Sequence, residues 1–208
     1  MRALVGGRSI PGLTVSRETL DRLEELIQLL RKWNPAINLV AASTLNDVWR
    51  RHIGDSSQIF ELGLTARLWA DFGSGGGFPG LVVAALAAEQ APDMRVVLIE
   101  SDRRKATFLR QASHVLGLTT DVRAERIEMI EPLAADVVSA RALAPLPQLC
   151  RYAARHLAPN GTALFLKGRN HDPEIAEARK TWNFALETRP SLTDPSAVTL
   201  VIKGLTHV

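Results

Sequence analysis

Apolar residues recur along this chain with two different periods. Over residues 16–33, Leu20, Leu23, Ile27 and Leu30 fall three or four apart, which predicts an amphipathic helix with one apolar stripe. Ser16 is placed to cap its start and Asn34-Pro35 to end it. A second helical stretch is predicted from about Leu45 to Phe60, with Ser43 or Thr44 as cap. From Arg67 onward short apolar runs alternate with helical stretches. Strands are predicted at Leu68–Ala70, Arg95–Ile99, Asp136–Ser139 and Ala163–Leu166, and helices at Leu81–Glu89, Arg104–Leu116 and Leu146–Leu157. Pro79 suits the first turn of one helix and Gly117 the end of another. Such alternation predicts an α/β fold with a parallel sheet covered by helices on both faces. Phe184–Thr188 and Val198–Lys203 read as two strands joined by a Pro/Asp turn, a C-terminal antiparallel hairpin on a mostly parallel sheet. The expected organisation is a helical extension over residues 1–62 and an α/β domain over 63–208.

Composition narrows the class. With 208 residues, 46% apolar and 23% charged, the chain suits one ordered domain with an extension. Leu81–Ala88 is the longest apolar run, too short to cross a bilayer, and residues 1–15 lack the pattern of an export signal. The lone Cys150 excludes an intrachain disulfide and a cysteine-based metal site, and its place in a helix suits a buried small side chain. The expectation is a cytoplasmic protein without a membrane partner, and nothing demands more than a monomer. The formal net charge is only +3, yet Ser139–Asn170 holds five basic residues (Arg141, Arg151, Arg155, Lys167, Arg169) and no acidic one. That stretch suits an anionic partner, or else a solvated face balanced by acids elsewhere in the fold.

The segment Asp71-Phe72-Gly73-Ser74-Gly75-Gly76-Gly77-Phe78-Pro79-Gly80 carries the chemistry. Its glycines allow a sharp turn after a strand and let a ligand approach bare backbone ahead of a helix start. Glu100, at the end of the next strand, is placed to accept hydrogen bonds from the hydroxyls of a ribose. A nucleoside-containing cofactor follows. Gly75-x-Gly77-x-x-Gly80 matches the dinucleotide fingerprint literally, and Glu100 lies near the expected offset. Asp71, however, would repel a pyrophosphate and suits a cofactor with an amino group and a sulfonium. S-adenosylmethionine is therefore the better fit. No Gly-Lys-Ser/Thr follows, which excludes a Walker-type phosphate loop. After the fourth strand the loop reads Ser139-Ala140-Arg141-Ala142-Leu143, without the Pro-Pro-aromatic run of exocyclic-amine methyltransferases. It offers Arg141, a permanent cation suited to a carboxylate, a phosphate or guanine O6. The absence of an evident base is compatible with attack by a ring nitrogen such as guanine N7.

The residues Lys32-Trp33-Asn34, Asn38-Leu39, Arg51-His52-x-x-Asp55-Ser56, Asp71–Gly80, Leu98-Ile99-Glu100-Ser101, Lys105-x-x-Phe108-Leu109, Arg123-Ala124-Glu125, Ser139–Leu143 and Leu166-Lys167-Gly168 follow in order. In them the chain resembles the bacterial small-subunit ribosomal RNA methyltransferase G family, also called glucose-inhibited division protein B. The resemblance implies a class I, Rossmann-like fold and methyl transfer from S-adenosylmethionine to N7 of a guanine in 16S rRNA, near the decoding site. It implies that Gly73 and Phe78 line the cofactor, that Ala124 and Glu125 flank its adenine and that Arg141 closes the pocket. Asp71, Gly75, Glu100 and Ser101 join them from the residue reading. Arg141, His52 and Lys167 are the candidates for a catalytic role, and Arg51, His52, Lys105, Arg110, Lys167 and Arg169 for RNA contact. Trp33 and Trp49 read as packing residues. Gly54 departs from the family, which has a larger apolar residue there, and this bears on the shape of the second helix. A methyltransferase of a small acidic metabolite and a non-enzymatic nucleoside-binding module are the competing readings.

Overall fold

The structure, a computed structural model, describes residues 9–208. The start of the predicted extension and part of the segment read for an export signal lie outside them. Helix α1, Arg17–Ile37, begins where Ser16 Oγ accepts the amide of Thr19 at 3.2 Å. Its predicted stripe is buried throughout, from Leu20 and Leu23 to Ile27 and Leu30. The helix runs one turn past Asn34-Pro35. Asn34 Oδ1 accepts the amide of Val40, Asn38 takes the left-handed conformation as C-cap, and the buried Ile37 holds the last turn.

The second predicted helix is broken. Ala42–Asp47 is a 3₁₀ turn, Trp49–Gly54 a π turn, α2 only Asp55–Ser57, and Phe60–Gly63 another 3₁₀ turn. Neither Ser43 nor Thr44 caps it; Thr44 Oγ1 instead donates to the carbonyl of Ala41 within the 3₁₀ turn. Gly54 accommodates this route. A Cβ there would stand 3.3 Å from Cγ2 of Thr193 in the loop of the C-terminal hairpin.

Beyond residue 67 the chain alternates β1 (Leu68–Phe72), α3 (Gly80–Gln90), β2 (Arg95–Ile99), α4 (Arg103–Val115) and β3 (Thr120–Arg123). It continues with β4 (Ala135–Arg141), α5 (Leu146–His156), β5 (Leu157–Lys167), α6 (His171–Ala178), β6 (Trp182–Pro190) and β7 (Val198–His207). The sheet order is β3-β2-β1-β4-β5-β7-β6. Strands β1 to β5 pair in parallel, whereas β7 is antiparallel to both β5 and β6. Strand β3 and helix α6 add to the expected elements, and Pro79 stands one place before the first helical residue.

The sheet is apolar on both faces. Trp69 and Leu98 belong to one cluster with α1, α3 and Phe108 of α4, while Ala70, Phe72, Ile99 and Val138 belong to another with α5 and the hairpin. The helical extension therefore shares its core with one face of the sheet. Trp33 and Trp49 pack against that cluster, and Trp33 meets Phe108 edge to face. Cys150 is buried, which pushes its thiol up to about 12 and keeps it protonated. Among the described residues no helix is long and apolar enough to cross a membrane.

Candidate functional site

Parallel strands aim their carboxyl ends at one edge of the sheet, where open α/β folds bind ligands. The segment after β1 bends there through Gly73, Gly75 and Gly77, all at positive φ. Gly73 is required on two counts, because a Cβ would also press into the side chain of Leu143. This turn floors a cavity of about 560 Å³. Gly73, Gly75 and Phe78 line it together with Glu100, Ser101, Lys105, Glu125 and Arg141. Glu100 accepts the amides of Gly75 at 2.9 Å and Asp102 at 2.8 Å, so it braces the turn while presenting its remaining lone pairs to the cavity.

Asp71 is placed differently from expectation. It does not line the cavity; it is fully buried beneath α3, where Oδ2 accepts the amide of Gly80 at 3.1 Å and Oδ1 accepts Ser139 Oγ at 2.7 Å. Pro79 supplies no side-chain cap, so Asp71 satisfies the helix start from the strand below, a position favourable to an acid. Ala124 likewise stops short of the wall, which Glu125 to Glu128 form instead. Arg110 lies apart, donating to the carbonyl of Val122 beside a shallow depression over α4 and β3.

A second cavity of about 510 Å³ adjoins the first, and Thr44, His52, Arg141 and Ala142 line both. Its own walls bring Arg51, Lys167 and Arg169 together with Asp55, Glu174 and Thr193. Arg141 organises the shared wall. It donates to the carbonyl of Arg51 at 3.1 Å, to Nδ1 of His52 at 2.6 Å and to Oδ2 of Asp55 at 3.4 Å, with its guanidinium 5.3 Å from the Phe78 ring centre. Asp55 Oδ1 accepts from Gln58, Ser191 and Thr193, tying the extension to the hairpin loop. Ala142 follows at φ 52, a conformation that a residue with a side chain adopts only under constraint.

His52 is fixed by its partners. Because Arg141 donates to Nδ1, the ring proton sits on Nε2 and is given to Thr44 Oγ1 at 2.8 Å. The ring also stacks on Phe78 at 4.9 Å. Burial, then the charges of Arg141 and Arg51, lower its pKa from 6.5 to about 3. His52 therefore stays neutral and has no free nitrogen with which to take a proton. An unfolded His52 gains a proton below about pH 6.5 that the folded one refuses until about pH 3, so stability falls as pH drops through that window. Thermal denaturation at pH 7 and 5 should show His52→Asn sparing about 2 kcal/mol of the wild-type acid destabilisation. Equal losses in both proteins would show that His52 already protonates in the native state.

The profile of the GidB family, described as rRNA small subunit methyltransferase G, matches residues 19–197. The chain belongs to this family. Ribosomal RNA small subunit methyltransferase G of Cereibacter sphaeroides is 56% identical over 197 residues, covering 94% of this chain and 96% of that protein. The protein of the same name from Paracoccus denitrificans is 50% identical, covering 94% of this chain and all of the other. Among solved structures, an O-methyltransferase from Bacillus cereus in complex with SAH aligns with a TM-score of 0.60 at 15% identity, over 88% of this chain and 90% of that one. A methyltransferase from Geobacter sulfurreducens gives 0.58, also at 15% identity, over 88% of each. The GidB chain thus has the class I, Rossmann-like methyltransferase fold with its hairpin at the C-terminal edge.

Several wall residues of this GidB chain carry no motif. Tyr152 reaches the first cavity from α5, packed edge to face against Phe72. Thr193 and Asp194 reach the second from the hairpin loop. The run Ser191-Leu192-Thr193-Asp194-Pro195-Ser196 signals a turn, but nothing local says that it folds back over Asp55.

Proposed function

We propose that this chain transfers the methyl group of S-adenosylmethionine to N7 of a guanine in 16S rRNA. The observation that carries this reading is the pair of cavities joined at Arg141, one cradled by the glycine turn and one rimmed by Arg51, Lys167 and Arg169. Membership of the GidB family supports the rRNA substrate. The donor fits the first cavity. Side chains at Gly73 and Gly75 would fill or strain the cradle, Glu100 offers acceptors for a ribose, and Glu125 with Ile127 offers a mixed wall for the adenine. When bound, S-adenosylmethionine supplies an electrophilic methyl on a sulfonium, whose carbon–sulfur bond breaks as the carbon–nitrogen bond forms and leaves a thioether.

The N7 lone pair needs no deprotonation, and the base keeps the positive charge it gains. That suits a shared wall where His52 is held neutral with both nitrogens engaged and Asp55 is already bonded on both oxygens. The protein's task is to position, which raises rate by holding nucleophile and donor in line. Arg141 orients the shared wall, and Arg51, Lys105, Lys167 and Arg169 meet phosphates or base edges. The domain over 63–208 binds the donor, the described part of the extension, residues 9–62, closes one side, and the protein works as a monomer in the cytoplasm. Small subunits from cells lacking this activity, given methyl-labelled donor and this protein, should yield 7-methylguanosine on nucleoside analysis. The yield should fall steeply with salt as phosphate contacts are screened. Donor binding without any labelled nucleoside would defeat the rRNA assignment.

A further inference from the structure

We infer that Lys167 and Glu174 together read the Watson–Crick edge of the target guanine, which rests on the function proposed above. Both residues line only the second cavity, not the wall that it shares with the first. They therefore stand away from the donor. A guanine with N7 toward the shared wall turns its N1–H and 2-amino group, which lie across the ring system from N7, toward that far side. O6 lies between the two edges.

The pair is held in place and incompletely used. Lys167 Nζ lies 2.5 Å from Glu174 Oε2 and donates to the carbonyl of Ala144 at 3.1 Å. Glu174 Oε2 also accepts the amide of Leu146, the first residue of α5, at 2.7 Å. Both side chains are mostly buried, at 11% and 25% exposure. An ammonium has three protons, so one remains on Lys167. Glu174 Oε1 accepts no hydrogen bond from any described residue. Of the other carboxylates on this wall, Asp55 is committed on both oxygens, to Arg141 and the hairpin loop, whereas Asp194 accepts the amide and hydroxyl of Ser196 on Oδ1 and forms no ion pair among the described residues, so it offers no donor beside its acceptor.

One donor beside one acceptor is the complement of guanine O6 beside N1–H. Adenine reverses both, setting its amino group against Lys167 and its unprotonated N1 against Glu174. A site built to hydrogen-bond such groups rejects an analogue that leaves its own polar atoms unpaired.

The test replaces the target guanine with 2-aminopurine, which keeps N7 and the 2-amino group but lacks O6 and N1–H. Small subunits carrying either base are assayed with wild-type protein and with Glu174→Ala, and donor affinity is measured by calorimetry on each protein. Any intrinsic difference in N7 reactivity cancels between the two proteins. The guanine to 2-aminopurine rate ratio should fall about tenfold to a hundredfold in Glu174→Ala, with donor affinity unchanged. Glu174→Gln, which keeps an oxygen for the Leu146 amide, should lower the ratio in the same direction and serves if the alanine variant does not fold. A purely structural role would lower both rates and leave the ratio as it was, and that result would overturn the inference alone. Failure of the wild-type protein to form 7-methylguanosine on guanine-bearing subunits would overturn the function and the inference together.

Discussion

Replacing Arg141 with alanine should lower methyl transfer by about 10²–10³-fold while the protein stays folded. The guanidinium is bonded at once to the carbonyl of Arg51 in the π turn, to His52 and to Asp55, and it lies on the wall common to both cavities. Its loss removes the donor that fixes the His52 tautomer and the cation beside the Phe78 ring. Asp55 keeps three donors from Gln58, Ser191 and Thr193, so the fold should lose only about 1–3 kcal/mol. Lysine should not restore the rate, because one ammonium cannot span the fan of partners that a planar guanidinium reaches. Initial rates with labelled donor, set beside calorimetric donor affinity and the thermal midpoint, separate these effects. A rate within threefold of wild type would remove Arg141 from the machinery.

How far the sequence reached depended on how local each signal was. The glycine turn and Glu100 were legible because a strand, a tight turn and a helix start leave few alternatives over so short a span. Strand β3 was not, since Thr120-Asp121-Val122-Arg123 is a half-exposed edge with a single apolar side chain. Helix α6 was hidden for a like reason, as it has eight residues, Pro173 in its first turn and only Ala178 buried. The stretch from Leu45 to Phe60 misled through its apolar spacing. Ile53 enters the core while His52 faces Arg141, and the π turn, with more residues per turn than an α-helix, accommodates both. The hairpin loop's place over Asp55 is a contact between residues more than 130 positions apart, which no local pattern encodes. Asp71 was legible but misread. Trp69 and Asp71 share one face of β1 because side chains alternate along a strand, and that parity places the acid beneath α3 rather than at the cavity.

From that position follows the second large effect. Asp71→Ala should destabilise the fold by about 3–5 kcal/mol, because it leaves the amide of Gly80 and the hydroxyl of Ser139 without their buried acceptor. Ser139 also receives the indole N–H of Trp69 at 2.9 Å, so the disturbance reaches the middle of the sheet. Donor affinity should fall as well, through a displaced turn rather than a lost contact. Asparagine separates the two roles. It can still accept from Gly80 and carries no charge, so it should bind the donor far better than alanine does. Its stability should also differ from wild type in a pH-dependent way. Burial, opposed by the bonds from Ser139 and Gly80, raises Asp71 from 3.8 to about 6. Between those values the unfolded acid ionises and the folded one does not, so wild-type stability is lost as pH rises through the window. The loss is about 3 kcal/mol and is complete above pH 6. Thermal melts of wild type and Asp71→Asn should therefore show a gap that moves in favour of asparagine by that amount between pH 3 and 7. A gap constant with pH would mean that Asp71 ionises in the fold as readily as in the open chain, and that the amide of Gly80 and the start of α3 offset its burial in full.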